Sequence, residues 1–82
     1  MTQLIVYSRQ GCHLCELLIE ELLPMLQGRA ELQVRDIDSR DDWREAYDLR
    51  VPVVELNGET LCQYSLDRDK VLQALSGLAE RG

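Results

Sequence analysis

The sequence predicts an α/β fold in which a four-stranded mixed sheet has helices on both faces, in the order β-α-β-α-β-β-α. Two observations lead to this prediction. Residues 4–7 form an unbroken apolar run, typical of a strand buried on both faces, and an amphipathic helical stretch follows it. Further along, the dipeptide Asn57-Gly58 indicates a tight β-hairpin. Because the chain has 82 residues, 45% of them apolar, we expect a single domain covering residues 1–82.

The first helix is expected to begin near Cys12 and to bury one stripe of leucines. Glutamates between them fall on the opposite side of the helix, which indicates an amphipathic element. Pro24 is expected to bend or end the helix because proline donates no backbone hydrogen bond, and Gly28 is the expected stop. The expected stripe consists of Leu14, Leu18, Leu22 and Leu26.

The middle of the chain adds a second strand and a short helix. Residues 32–37 alternate apolar and polar side chains, which is typical of an edge strand or of a strand with one wet face. We expect the first two strands to be parallel and joined by a right-handed crossover. Ser39 is the expected N-cap of the short helix, whose inner face would contain Trp43 and Tyr47.

The last third of the chain contains the hairpin and the final helix. Residues 51–56 predict a third strand, and residues 60–62 are expected to return beside it. Asp67 is the expected cap of the final helix. The expected inner face of that helix consists of Val71, Leu72, Leu75, Leu78 and Ala79.

The charge balance disfavours two classes of partner. The net charge is −6, which disfavours nucleic acid and anionic membranes as partners. The longest apolar run is far too short to span a bilayer, and the N-terminus lacks the features of a signal peptide. We therefore expect a cytoplasmic protein, and the acidic surface favours a monomer. Helix capping and solvation explain the acidic run Asp36, Asp38, Asp41 and Asp42.

Cys12 and Cys15 are the sharpest chemical signal in the sequence. A Cys-x-x-Cys motif that follows a strand and opens a helix is typical of a redox-active dithiol. The unpaired N–H groups and the positive dipole end of the helix stabilise a thiolate, which is the attacking form of cysteine. We expect Cys12, at the exposed end of the helix, to be the nucleophile. Cys15, one turn further in, is the expected resolving thiol.

Other interpretations of the cysteines stay open at this point. The pair would be inert if both thiols were simply packed, although a helix start is an unusual place for that. A zinc site within one chain is not expected, because its four ligands would have to include the neighbours Cys12 and His13. His13 and Cys62 are candidate modulators of the dithiol. Their simpler roles are an exposed histidine and a small buried hydrophobe.

Residues 6–15 contain Tyr-Ser at the end of the first strand, then a basic residue, then Gly-Cys-x-x-Cys at the start of the helix. Val51-Pro52 and Asn57-Gly58 follow at the third strand and its hairpin. Together these segments resemble the glutaredoxins of the thioredoxin superfamily, and especially short bacterial glutaredoxin-like proteins. The likeness covers nearly the whole chain. It implies a thioredoxin-like fold of the glutaredoxin type.

The resemblance also implies roles for individual residues. Arg9 matches a basic residue that meets a glutathione carboxylate. Val51 matches the residue whose backbone pairs with the cysteinyl part of glutathione, and Pro52 matches a cis proline that faces the cysteines. Cys62 and Gln63 stand where the family has a Gly-Gly pair beside glutathione, so Gln63 is a candidate glutathione contact.

The chain departs from the family pattern in its Cys-x-x-Cys, where His13-Leu14 replaces the usual proline, and at Arg50, which replaces a threonine. The leading hypothesis is a thiol–disulfide oxidoreductase that reduces protein or glutathione mixed disulfides. We expect no bound cofactor, with glutathione as a candidate co-substrate. The alternatives are a non-catalytic binding or redox-sensing module and, more remotely, a metal or iron–sulfur carrier formed between two subunits.

Overall fold

The computed structural model describes residues 3–81, and the side-chain environments of residues 3–77. The elements follow one another in the predicted order. The strands are β1 (Gln3–Ser8), β2 (Glu31–Asp36), β3 (Val53–Leu56) and β4 (Glu59–Gln63). The helices are α1 (His13–Leu26), α2 (Asp41–Tyr47) and α3 (Arg68–Arg81), with a 3-10 turn at Ile37–Ser39.

The four strands form one mixed sheet in the order β2-β1-β3-β4. β1 runs parallel to β2 and antiparallel to β3, and β3 pairs with β4 in an antiparallel hairpin. The hairpin turn is Asn57-Gly58, with φ values of 52° and 84°. Positive φ at both positions fits the two-residue turn that the sequence predicted. β1 is flanked on both sides, which explains its unbroken apolar sequence.

The larger hydrophobic core lies between the sheet and the helices α1 and α3. Leu4 and Val6 of β1 face this core and are fully buried, because alternate residues of a strand point to the same face. Both helices pack their apolar stripes against this face of the sheet. The buried members are Leu4, Val6, Leu18, Leu22, Leu26, Val54, Leu56, Leu61, Val71 and Leu75.

A second, smaller core lies on the opposite face of the sheet, under α2. Tyr7, Ile37 and Val53 are buried there, and Trp43 and Tyr47 of α2 pack against them. The Tyr7 ring stacks on the Tyr47 ring with their centroids 4.1 Å apart, and it meets the Trp43 ring edge-on at 5.8 Å. Helices therefore cover both faces of the sheet, as predicted.

Polar contacts support this smaller core. The Tyr47 hydroxyl lies 3.3 Å from a carboxylate oxygen of Glu55, to which it donates. Burial and the neighbouring Tyr7 and Glu55 raise the pKa of Tyr47 to about 12. The Arg35 guanidinium donates to the Tyr7 hydroxyl at 3.0 Å and lies over the Trp43 ring. None of the residues of α2 is fully buried. The helix is therefore held against the sheet by the partly buried rings of Trp43 and Tyr47 and by their polar contacts.

The expected buried stripes are wrong at two positions. Leu14 is 53% exposed, because it lies in the first turn of α1, before the buried part of the helix begins at Cys15. Leu72 is 41% exposed. It follows the buried Val71, and a step of one residue along a helix turns the side chain about 100° away. The expected positions of Leu78 and Ala79 lie outside the described side chains.

One expectation about helix ends is confirmed and another is wrong. α1 ends at Leu26, so Pro24 occupies its last turn, and Gly28 follows with a φ of +76°, as expected of a glycine that stops a helix. Ser39 does not cap α2. Its hydroxyl donates to the carbonyl oxygen of Asp36 at 2.6 Å within the 3-10 turn, and Arg40 stands at the N-cap instead.

The start of α3 agrees with the sequence. The Asp67 carboxylate accepts a hydrogen bond from the amide of Lys70 at 3.1 Å, and its carbonyl oxygen accepts one from Val71 at 3.1 Å. This is the geometry of a side-chain N-cap. Within the described residues, every helix is too short or too polar to cross a lipid bilayer.

Candidate active site

The turn between β1 and α1 brings Cys12 to the N-terminal end of the helix. Gly11 adopts a φ of +76°, a left-handed conformation that glycine reaches without strain. The amide of Cys12 donates to the carbonyl oxygen of Arg9 at 3.2 Å and closes the turn. Cys12 is the N-cap of α1, and its Sγ accepts the amide of Cys15 at 3.2 Å. A sulfur therefore takes the place of the usual capping oxygen.

Cys12 and Cys15 are paired as a disulfide, and their Cα atoms are 5.2 Å apart. Cys12 is half-buried, whereas Cys15 is only 2% exposed. A molecule in solvent therefore reaches Cys12 first. When the pair is reduced, the helix N-terminus stabilises a thiolate at Cys12, because its amides and its dipole favour negative charge. This geometry fits the predicted order of nucleophile and resolving thiol.

The Val51–Pro52 peptide bond is cis, as the resemblance implied. Tyr7 pairs with Val53 in the antiparallel ladder between β1 and β3. Continuing that register places Val51 and Pro52 alongside the residues that lead from β1 into the Cys12 turn. The cis proline and the cysteines therefore lie at the same end of the sheet.

Two carboxylates hold the guanidinium of Arg9, which lies in the same turn as Cys12. Nε and Nη2 both donate to Asp38 at 3.1 Å, and Nη2 lies 2.6 Å from Asp48. Hydrogen bonds to Asp38 and then to Asp48 raise the pKa of Arg9, and the bond from Arg9 lowers the pKa of Asp38. Asp38 belongs to the 3-10 turn and Asp48 directly follows α2. These ion pairs therefore tie the active-site turn to the 3-10 turn before α2 and to the residue that directly follows α2.

Gln63 lies at the end of β4 and contacts the residue that precedes Val51. Arg50 Nε donates to the side-chain oxygen of Gln63 at 3.1 Å. The same guanidinium lies 5.5 Å from the centre of the Tyr47 ring and donates to the carbonyl oxygen of Ala46 at 3.5 Å. Gln63 is thereby connected to the cis-proline segment, and its predicted contact with glutathione stays a prediction.

His13 is exposed to solvent, whereas Cys62 is partly buried against the larger core. The His13 side chain is 80% exposed, and its Nδ1 lies 4.0 Å from a carboxylate oxygen of Glu16. Cys62 lies opposite Val54 in the hairpin and packs against the larger core, and burial raises the pKa of its thiol. A modulating role for either residue stays a prediction. Among residues 3–81, no three His, Cys, Asp or Glu side chains come together as a metal site.

Sequence reasoning found the residues of the cysteine turn and of the cis-proline segment, but it missed Asp38 and Asp48 as partners of Arg9. A signal was present for Asp38, which belongs to the acidic run at the end of β2, but capping was a sufficient local explanation for that run. The placement of β2 beside β1 brings Asp38 to a basic residue 29 positions earlier in the chain. Asp48 lies outside the run, directly after α2, and has no such signal.

No curated protein matches the chain significantly. Among solved structures, a structural genomics target protein, XcR50 from X. campestris, has a TM-score of 0.69 and 31% identity, covering 90% of this chain and 96% of its own. The germline-specific thioredoxin Deadhead from Drosophila melanogaster has a TM-score of 0.52 and 19% identity, with coverages of 93% and 79%.

Glutaredoxin C1 from Populus tremula x tremuloides has a TM-score of 0.50 and 22% identity, with coverages of 89% and 73%. These last two likenesses show the fold alone. The model of the glutaredoxin-like domain family (DUF836) matches residues 3–76. With that match over most of its length and a thioredoxin-like architecture, the chain belongs to the glutaredoxin-like domain family.

Proposed function

We propose that the protein is a thiol–disulfide oxidoreductase that reduces disulfides with the dithiol of Cys12 and Cys15. The observation that carries this proposal is the placement of the two sulfurs. The Cys12 sulfur caps α1, where a thiolate is stabilised, and the buried Cys15 is within bonding reach behind it. Membership of the glutaredoxin-like family supports the same conclusion.

In the proposed reaction the Cys12 thiolate attacks one sulfur of the substrate disulfide. A new bond joins Cys12 to that sulfur as the substrate S–S bond breaks, and the departing thiolate takes a proton from solvent. Cys15 loses its proton and attacks the Cys12 sulfur, which releases the second substrate thiol. The substrate gains two electrons and the protein ends as the Cys12–Cys15 disulfide. An external thiol, such as glutathione or a protein dithiol, then restores the dithiol.

The surroundings of the pair suggest how a substrate would bind. The main chain of Val51, next to the cis Pro52, offers an extended segment beside the Cys12 turn. Leu14 is exposed one residue before the resolving Cys15 and offers an apolar contact. We further propose that the protein works as a cytoplasmic monomer without a bound cofactor.

The first test is a redox titration of the protein in glutathione buffers, read by mass spectrometry after thiol trapping. We expect one reversible two-electron step shared by Cys12 and Cys15. It should disappear in Cys12→Ser. Cys15→Ser should instead accumulate a mixed disulfide at Cys12, because the resolving thiol is missing. Cys62→Ala is the matched control and should keep the step, since Cys62 packs against the core.

A turnover assay separates catalysis from sensing. With an excess of dithiothreitol as the reductant, a catalytic amount of the protein should accelerate the reduction of a small neutral disulfide such as bis(2-hydroxyethyl) disulfide, and Cys12→Ser should not. A pair that closes reversibly in glutathione buffers but does not accelerate this turnover would replace the oxidoreductase with a redox-sensing module. A pair that never closes would refute both proposals.

A further inference from the structure

We propose that Asp38 and Asp48 make this site selective against glutathione, so that its preferred substrates are disulfides of polypeptide chains. The inference rests on the proposed oxidoreductase function and names its substrate class. Glutathione carries two carboxylates, and a free cation near the attacking sulfur would hold one of them through strong charge-assisted hydrogen bonds. Arg9 is the cation that the turn supplies.

The guanidinium of Arg9 is already occupied on two sides. Its Nε and Nη2 donate to the two oxygens of Asp38, each at 3.1 Å, which is the bidentate arrangement of a strong arginine–carboxylate pair. Nη2 also lies 2.6 Å from Asp48. A carboxylate of glutathione would therefore have to displace an internal carboxylate that is tethered to the same fold.

The charges around Arg9 also oppose an incoming anion. Arg44 Nε lies 3.4 Å from Asp38, and Arg44 Nη1 lies 3.5 Å from Asp41. Two guanidinium groups are thus surrounded by three carboxylates, those of Asp38, Asp41 and Asp48, which leaves one net negative charge. Any further carboxylate beside Arg9 meets like charges within a few ångströms.

The second cation near the site also has partners within the protein. Arg50 precedes Val51, but its guanidinium lies over the Tyr47 ring and donates to Gln63 and to the carbonyl oxygen of Ala46. These contacts hold it against α2 and the end of β4, so an incoming carboxylate would again compete with groups of the same fold. A neutral polypeptide segment needs neither cation.

Such a segment finds main-chain and apolar contacts instead. The amide of Tyr64 donates to the carbonyl oxygen of Pro52 at 2.9 Å, which places Tyr64 beside the cis proline, and its side chain is exposed. Leu14 offers a second exposed apolar side chain near Cys12. These contacts suit an extended polypeptide better than a small anion.

The test compares two disulfides that differ only in their carboxylates. Pre-reduced protein reacts in a single turnover with glutathione disulfide, or with the disulfide of glutathione diethyl ester, and the products are trapped and weighed. Each reaction forms the Cys12–Cys15 disulfide and two thiols from one substrate disulfide. We expect the wild type to reduce the ester faster. The double variant Asp38→Asn/Asp48→Asn should shift the ratio of the two rates toward glutathione by about tenfold, since a freed guanidinium can bind a carboxylate.

The matched control is Asp42→Asn/Asp69→Asn, which removes the same number of negative charges. Asp42 pairs in a bidentate way with Arg40, and Asp69 lies on α3. This control should shift the ratio by less than about twofold, because long-range charge is screened in salt. The single variant Asp48→Asn keeps the Asp38–Arg9 bonds and should give an intermediate ratio, so the test survives if the double variant folds poorly.

Each outcome decides the question. Equal shifts in the double variant and its control, or a wild type that prefers glutathione disulfide, would overturn the inference and leave the oxidoreductase proposal intact. If the wild type reduces neither substrate and does not accelerate the reduction of bis(2-hydroxyethyl) disulfide, the proposed function fails and the inference fails with it. A ratio that changes only in the Asp38 and Asp48 variants supports the inference.

Discussion

The three cysteines are the same side chain placed in three environments, and the differences between them define the site. Cys12 caps a helix at the surface, Cys15 lies buried one turn behind it, and Cys62 packs against the larger core. The closeness of Cys12 and Cys15 in space could be predicted from the sequence, because residues three apart lie about one turn apart on a helix. The environment of Cys62 could not, since it depends on which face of the hairpin meets α1 and α3.

Alkylation of the reduced protein should separate these environments. With limiting iodoacetamide near neutral pH, we expect Cys12 to be labelled at least about tenfold faster than Cys62, because burial raises the pKa of Cys62 while the helix start favours a thiolate. Peptide mapping by mass spectrometry measures both rates. In Cys62→Ala the labelling of Cys12 should be unchanged. Similar rates at the two thiols would contradict the assignment of Cys12 as nucleophile.

Acid should weaken the fold through the carboxylate that holds Arg9. The hydrogen bond from Arg9 lowers the pKa of Asp38 below its unfolded value, so the folded state releases this proton more readily. The resulting stability is fully present above the unfolded pKa and is lost as the pH falls through the folded one. We therefore expect the midpoint of urea unfolding to fall between about pH 5 and pH 3, and Asp38→Asn to reduce that fall. Asp69→Asn is the control, and an equal reduction in it would count against this origin.

Arg9 also marks the limit of residue-level prediction. The residue itself and its position beside Cys12 were clear from the motif. Its pairing with Asp38 and Asp48 was not, because ion pairs between distant segments depend on strand order and register rather than on any local pattern.

At the scale of elements, periodicity predicted where α1 lies and which part of it is buried. The stripe of leucines holds from Leu18 onward and fails at Leu14, where the helix has not yet reached the core. The short helix α2 was harder to predict. Its N-terminus begins after a 3-10 turn that uses Ser39 internally, and an isolated capping residue cannot distinguish the two structures.

Two neighbouring leucines of α1 should respond very differently to truncation. Leu22 is fully buried and Leu23 is 51% exposed, although both are in the same helical turn. We expect Leu22→Ala to lower the free energy of unfolding by about 2–5 kcal/mol, a large share of the roughly 5–15 kcal/mol typical of a small domain. Leu23→Ala should stay within about 0.5 kcal/mol. Urea unfolding followed by circular dichroism gives both values, and equal losses would contradict the assigned faces of α1.

For the whole molecule, the order of elements and the mixed sheet followed from the sequence, because each strand and helix has its own local signal. The central place of β1 was readable from its apolar run, and the hairpin from Asn57-Gly58. The division of the apolar residues into two cores could not be predicted from the sequence in the same way. It arises because alternate residues of β1 and β3 belong to different faces, so neighbours such as Val53 and Val54 pack against different helices.

The weak burial of α2 has a consequence for motion. No residue of this helix is fully buried. Arg9 holds Asp38, in the 3-10 turn before the helix, and Asp48, directly after it. We expect its backbone amides to exchange with deuterium well before those in the centre of α1, through local opening rather than global unfolding. Asp38→Asn/Asp48→Asn should accelerate this exchange further, and Asp42→Asn/Asp69→Asn should do so less. The same two ion pairs would then control both the choice of substrate and the local opening of α2. A variant that accepts glutathione more readily should therefore also open α2 more often.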